Sequence, residues 1–181
     1  TVLEIGEDVW GLKEFFHNDI DELVESFTSA QREIAPEIEL RLQIGLSRHC
    51  PISYLEDCLS YFWGNKNFYS IDLYGDEFAQ PIENFKGIYR RAKKEGLRLK
   101  AHVGEWGTAK DIRTAVEELE LDEVQHGIAA AGDESVIRFL AENKIRLNIT
   151  PMSNVLLGRV ADMAEHPIGK LYRSGIDVTI N

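Results

Sequence analysis

The feature that most narrows what this chain can fold into is a hydrophobic period that switches repeatedly between two residues and about 3.6 residues. Ile38, Leu40, Leu42 and Ile44 alternate with Glu39, Arg41 and Gln43, as in a strand whose two faces meet different surroundings. Ahead of it, from Asp19 to Ile34, the apolar Ile20, Leu23, Val24, Phe27 and Ile34 fall mostly on one helical face, with acids opposite and Pro36 after the stop. Behind it, Gly45 to His49 ends the strand and Pro51 suits the first turn of a helix carrying Leu55, Leu59 and Phe62. Asn67 to Leu73 is a second strand, closed by Gly75. A helix with Ile82, Phe85, Tyr89 and Ala92 then leads through Gly96 into a strand with Leu97, Leu99, Ala101 and Val103 on one face and His102 on the other. Thr108 caps a helix bearing Ile112, Val116 and Leu119, and Asp133 caps another bearing Val136, Phe139 and Leu140. Short strands follow at Glu123 to Gln125 and Ile145 to Ile149, then a loop or helical stretch from Gly169 to Ser174, and a last strand from Ile176 to Ile180.

Six β-units alternating with helices predict right-handed crossovers and a parallel sheet, closed as a barrel or open and doubly wound. A dinucleotide fold would need G-x-G-x-x-G after a strand, and Gly104-Glu105-Trp106-Gly107 is too short a match. The expected fold is therefore α/β, a TIM-type (β/α) barrel. A closed eight-unit barrel takes roughly 250 residues, so a chain of 181 residues predicts one incomplete barrel domain over 1–181. Thr1 begins without an identifiable first strand, and Asn181 falls where the last strand should enter its loop. The expectation is a fragment, or a sheet completed by missing segments or by an oligomeric partner, because an unpaired edge strand invites aggregation.

Charge limits the partners. A formal net charge of -11 sets up a field that repels phosphate backbones and anionic lipid, which argues against nucleic acid and membrane surfaces and for a neutral or cationic small molecule. The absence of a secretory leader and of a spanning apolar run points to a cytoplasmic protein. Cys50 and Cys58, with seven positions between them at a helix pattern, form no paired zinc motif and are expected to be buried or idle thiols.

In parallel β/α folds functional groups gather beyond the C-terminal strand ends. These ends carry Ser47-Arg48-His49, Gly75-Asp76-Glu77, His102 with Glu105, His126-Gly127, Thr150-Pro151-Met152-Ser153-Asn154, and Asn181. His102 stands out as a metal-ligand candidate, flanked by Ala101, Val103 and Gly104, although a histidine with an acid three positions on carries little weight among 31 acids. Taken alone, His126 reads as a strand-end histidine bonded to backbone, Gly75 as a turn glycine, and Asp76 and Glu77 as helix N-terminal acids. His49 with the cysteines reads as a packed helix start, and His17 and His166 as surface or cap residues. What raises these positions above their ordinary readings is that several strand ends carry suitable groups in order.

Four stretches, in order and spacing from about Ile38 to Asn181, resemble the adenosine deaminase family. They are Ile71-Asp72-Leu73-Tyr74-Gly75-Asp76-Glu77, Lys100-Ala101-His102-Val103-Gly104-Glu105, His126-Gly127, and Thr150-Pro151-Met152-Ser153-Asn154 before His166-Pro167. The resemblance implies hydrolytic deamination of a purine nucleoside or base, in which a zinc-activated water attacks the amino-bearing carbon. It implies His102 as a zinc ligand, Glu105 as the proton donor to the adjacent ring nitrogen, His126 as the group that orients or deprotonates the water, and Gly75 as close backbone against the purine. The family's metal site also uses a His-x-His pair at its first strand and an aspartate pair after its last, and this chain has neither. The resemblance therefore also leaves room for a non-catalytic purine-binding or assembly module without a complete metal site. The His-x-Glu and Pro-Cys-x-x-Cys pattern of the other nucleobase deaminases is missing.

Overall fold

The computed structural model describes residues 1–180. Seven strands form one sheet: β1 (Val2–Asp8), β2 (Glu39–Ser47), β3 (Phe68–Tyr74), β4 (Arg98–Val103), β5 (Glu123–His126), β6 (Arg146–Ile149) and β7 (Val178–Ile180). Every neighbouring pair is parallel, and spatial order follows chain order from β1 to β7. Among the described residues that order never reverses and offers no topological switch point of a doubly wound sheet, so the expected incomplete (β/α) barrel is the observed fold. Between the strands run α1 (Val9–Phe16), α2 (Ile20–Ile34), α3 (Ile52–Leu59), α4 (Lys86–Glu95), α5 (Ala109–Leu119), α6 (Glu134–Glu142), α7 (Pro151–Leu156) and α8 (Ile168–Arg173).

Helix starts sit where the sequence offers a cap. The Asp19 carboxylate accepts from the amides of Asp21 and Glu22, Asp133 accepts from Ser135, and Thr108 with Asp111 forms a reciprocal capping box. The helix expected from Ile82 to Ala92 is divided: Ile82–Phe85 is a 3₁₀ turn behind Pro81, and α4 follows and ends on Gly96 in the left-handed conformation. The stretch around Gly169 resolves as helix.

The first strand is a correction to the expected six units. Val2–Asp8 pairs with β2 in register from Val2 opposite Glu39 to Asp8 opposite Gly45. It escapes the alternation test because only Leu3 and Ile5 mark its outer face, and Val2 and Leu3 stay exposed at the sheet edge.

The two faces of the sheet differ in chemistry. Outward positions such as Ile44, Leu46, Ile71, Leu73, Leu99 and Val124 join Leu55, Phe85, Ile112 and Leu140 of the helical layer in one buried core. The inward face is polar. Lys100, 3% exposed, places Nζ 2.6 Å from Glu4 and 3.2 Å from Glu123. Asn148 donates to Glu123 at 2.7 Å, Gln43 donates to Asp72 at 3.3 Å, and the Ser70 and Thr179 hydroxyls donate to Glu4 and Asn148. This network links β1 through β7 and keeps the carboxylates of an otherwise costly interior paired.

Candidate functional site

Beyond the C-terminal ends of β3, β4 and β5 lies a cavity of about 320 Å³ lined by Gly75, Phe78, His102, Glu105, Trp106 and His126. All four positions singled out from the sequence, Gly75, His102, Glu105 and His126, thus meet at one place. Gly75 leaves β3 at φ +105, and a Cβ there would stand 3.2 Å from the His49 ring, so both the conformation and the space call for glycine. His49 is tied to this turn by accepting the Asp76 amide at 3.3 Å. Asn181 lies outside the described residues.

His102 sits on an inward position of β4 with its Nδ1 3.2 Å from the Asp72 carboxylate of β3. The approach is a close ion contact without the alignment of a full hydrogen bond. Burial pulls the His102 pKa down, but the facing Asp72 outweighs it and the net shift is upward. The His102 ring lies 5.3 Å from that of His126, centroid to centroid.

His126 closes β5 at φ +65, immediately followed by Gly127 at φ +65, and this kink turns the imidazole across the strand ends. Its Nδ1 is ringed by the Thr150 hydroxyl at 3.0 Å, the Asn154 amide nitrogen at 3.2 Å and the Glu105 carboxylate at 3.3 Å. These side-chain partners replace the backbone bond expected of a strand-end histidine. Burial, helped by His102 and opposed by Glu105, holds the His126 pKa below its ordinary value.

Glu105 is fixed from two directions. Its Oε1 accepts from Asn154 Nδ2 at 2.7 Å, and its backbone carbonyl accepts from Arg159 at 2.7 Å, whose guanidinium lies over the Trp106 ring. Asn154, fully buried in α7, also places Oδ1 3.2 Å from His166 Nε2. His166 is 8% exposed and accepts the amide of Ile168, the first residue of α8, at Nδ1, 3.1 Å, so of its two expected roles, surface or cap, the surface one is corrected: Pro167 and α8 fold it inward behind the site.

Glu77 is the second correction. Rather than serving as a helix-start acid, its buried carboxylate accepts from the backbone amides of Gly104, Glu105, Trp106 and Gly107 at 2.7, 2.9, 2.8 and 3.2 Å. It binds the loop after β4 as a capping anion binds a helix start. Buried Arg48 of the adjacent loop faces the same acid, and its Nε donates to the Gln80 carbonyl at 3.0 Å. Cys50 and Cys58 are free thiols, the second buried in α3.

Among the described residues no group of three or more histidines, cysteines, aspartates or glutamates stands close enough together to hold a metal. His102 is the one expected ligand present. Its Nε2 takes no hydrogen bond from the described residues while Nδ1 faces Asp72, the carboxylate–histidine arrangement usual behind a metal-binding imidazole.

A one-directional wall of parallel strands with a histidine, a glutamate and a second histidine converging at its C-terminal rim defines a (β/α)-barrel protein with its working groups at the strand ends. The adenosine deaminase family model matches residues 15–181, and the chain belongs to that family. A Treponema pallidum protein assigned provisionally as an adenosine/adenine deaminase is 38% identical over 178 residues, covering 98% of this chain and 59% of its own length. An adenine deaminase of Rhodospirillum rubrum is 31% identical, over 90% of this chain and 49% of the relative. The chain therefore spans about half the length of the relatives it matches. The fold is shared with the crystal structure of an Arthrobacter aurescens adenine deaminase, at TM-score 0.85 and 24% identity over 99% of this chain and 56% of that one. A Burkholderia ambifaria amidohydrolase crystallised with bound Zn gives 0.83 and 22%, over 99% of this chain and 52% of that one.

Proposed function

We propose that this chain supplies the acid and purine-facing part of a hydrolytic purine deaminase acting on adenine, adenosine or a close relative. The observation that carries the proposal is the convergence of Glu105, His126 and His102 with the side-chain-free Gly75 on one cavity, in a chain of this family. In this reading Glu105, held by Asn154 at 2.7 Å, protonates the ring nitrogen beside the amino-bearing carbon. Protonation makes that carbon electrophilic; water adds its oxygen there, the carbon–nitrogen bond breaks, and ammonia and the oxo-purine leave. His126 orients the attacking water and steadies developing charge, and Gly75 lets the ring approach the β3 turn.

Zinc enters through His102. The Asp72 contact at Nδ1 leaves Nε2 for a metal, which fits one zinc ligand; catalytic zinc normally takes three protein ligands, and the others are not among the described residues. When bound, the metal supplies the Lewis acidity that makes water nucleophilic near neutral pH. That single ligand also favours a second reading, a purine-binding or assembly module of the family. Soluble purines, not nucleic acid, remain the expected ligands, and no helix of the described residues is long and apolar enough to cross a membrane.

The test is ammonia release from adenine and from adenosine, with zinc added, by protein carrying this sequence and by its Glu105→Gln variant. Glu105→Gln should lose roughly 100-fold or more in kcat and still bind purine. Normal turnover by Glu105→Gln ends the acid assignment, and purine binding without turnover in both supports the binding-module reading.

A further inference from the structure

One hydrogen bond behind the site has a donor that cannot be reversed: the backbone amide of Ile168, which donates to His166 Nδ1 at 3.1 Å. A neutral imidazole that accepts at Nδ1 carries its proton on Nε2, so His166 is a donor toward Asn154, whose Oδ1 lies 3.2 Å away. The Asn154 amide is thereby set with its oxygen to His166 and its nitrogen to the site. That nitrogen stands 2.7 Å from Glu105 Oε1 and 3.2 Å from His126 Nδ1, and both must accept from it. A proton on His126 Nδ1 would face the Asn154 amide hydrogens directly. The Thr150 hydroxyl, 3.0 Å from the same nitrogen, is free to rotate its hydrogen toward it and adds a second donor.

We propose that His166 and Asn154 are positioning residues that fix His126 as its Nε2–H tautomer, so that His126 meets the cavity as a hydrogen-bond donor and not as a base. This rests on the deaminase reading for its catalytic meaning but not for its geometry. It narrows the role of His126: donating to oxygen, it orients water and stabilises charge, while the proton that water gives up must go to another group. It also explains why a residue 12 positions from Asn154, across an exposed loop, is buried against it. Turning the amide over would present an oxygen to the Glu105 carboxylate, two acceptors face to face.

The experiment is two-bond ¹H–¹⁵N spectroscopy of this chain labelled with ¹⁵N-histidine, whose five histidines are assigned by single substitution. His126 and His166 should each show a pyridine-type Nδ1 and a pyrrole-type Nε2. In His166→Leu the Asn154 oxygen loses its partner and the side chain is free to swing away from His126, whose pattern should shift toward Nδ1–H donating to Glu105; in His166→Gln, which keeps an amide donor for Asn154, it should stay as in the parent chain. A His126 protonated at Nδ1 in the parent chain, or one whose pattern is unmoved by His166→Leu, overturns the proposal; if His166→Leu fails to fold, the parent spectrum and His166→Gln decide. In protein that turns over purine, His166→Leu should lower kcat about 10-fold or more with KM within about twofold, and unchanged kcat counts against the positioning role. Lack of turnover in every version defeats the deaminase reading and leaves the tautomer result to stand or fall by itself.

Discussion

The Glu77 carboxylate lies 2.9 Å from the backbone amide of Glu105, 28 residues further along the chain, and so couples the end of β3 to the acid of the next loop. Three further amides of that loop share the same carboxylate, which makes Glu77 the anchor of the segment that presents Glu105 and Trp106. Glu77→Ala should cost about 2–4 kcal/mol, since each buried donor left without a partner is worth roughly 1–3 kcal/mol and entering water recovers part of it. Urea unfolding followed by tryptophan fluorescence checks the value. A midpoint shift within error would mean that the loop holds itself.

Lys100 answers for two carboxylates of the inner face. Lys100→Met should destabilise by roughly 3–5 kcal/mol, because it leaves Glu4 without its cation and takes one of three from Glu123, whose other oxygen keeps Arg98 and Arg146. Adding Glu4→Gln should return part of that loss, and the double-mutant cycle measures the coupling. Additive effects would contradict the pairing.

Gly127 follows His126 at φ +65, and a Cβ there would stand 2.8 Å from Leu147 and 3.1 Å from Val124. Gly127→Ala should cost about 2–4 kcal/mol, combining left-handed backbone strain of roughly 1–2 kcal/mol with overpacking of similar size. Thermal unfolding of the variant checks this, with Gly87→Ala, which lies in α4 with open space around it, as the control that should hold or raise stability by up to about 1 kcal/mol.

Asp8, the cap of α1, is pushed up to about 6 by burial, against the hydrogen bonds it accepts from Trp10. Its folded pKa lies above the unfolded value, so between about pH 4 and pH 6 the folded state holds the extra proton. Stability from this group is present below that window and is lost as pH rises through it. Asp8→Asn keeps a capping oxygen and removes the titration; the stability of the parent relative to this variant should therefore fall between pH 4 and pH 7. A difference that stays flat, or rises, would show that Asp8 is not desolvated in the folded chain.

Much of this arrangement was legible in the sequence, and the gaps have physical causes. β2 to β7 announced themselves because one face packs on helices and must be apolar, and Asp19, Thr108 and Asp133 announced helix starts because orphan amides need an oxygen. Gly75, His102, Glu105 and His126 stood among the candidates because strand ends converge in a parallel sheet, and the resemblance to the adenosine deaminase family singled them out; the fold brings the four to one cavity. β1 was not found, since at this sheet edge only Leu3 and Ile5 mark the outer face and Val2 beside them blurs the alternation. Glu77 was misread because its partners are backbone amides, which leave no side-chain pattern in a sequence. The burial of His166 was missed because it depends on how the loop after α7 folds back over Asn154.

The polar inner face also acts as a gauge of strand alignment. Ordinary barrel interiors are filled by branched apolar side chains, and a strand displaced by two positions can still find an oily neighbour there. Here each strand meets the next through groups that tolerate few substitutes: Glu4 with Lys100, Lys100 with Glu123, Glu123 with Asn148, Asn148 with Thr179. A shift by one residue would drive Lys100 into the oily layer under the helices, and a shift by two would break its paired contacts with Glu4 and Glu123 and set Arg98 or His102 in its place. Misaligned arrangements of this sheet are thus marked by bare charge, so the chain sorts correct from incorrect pairing electrostatically, ahead of any fine packing beneath the helices.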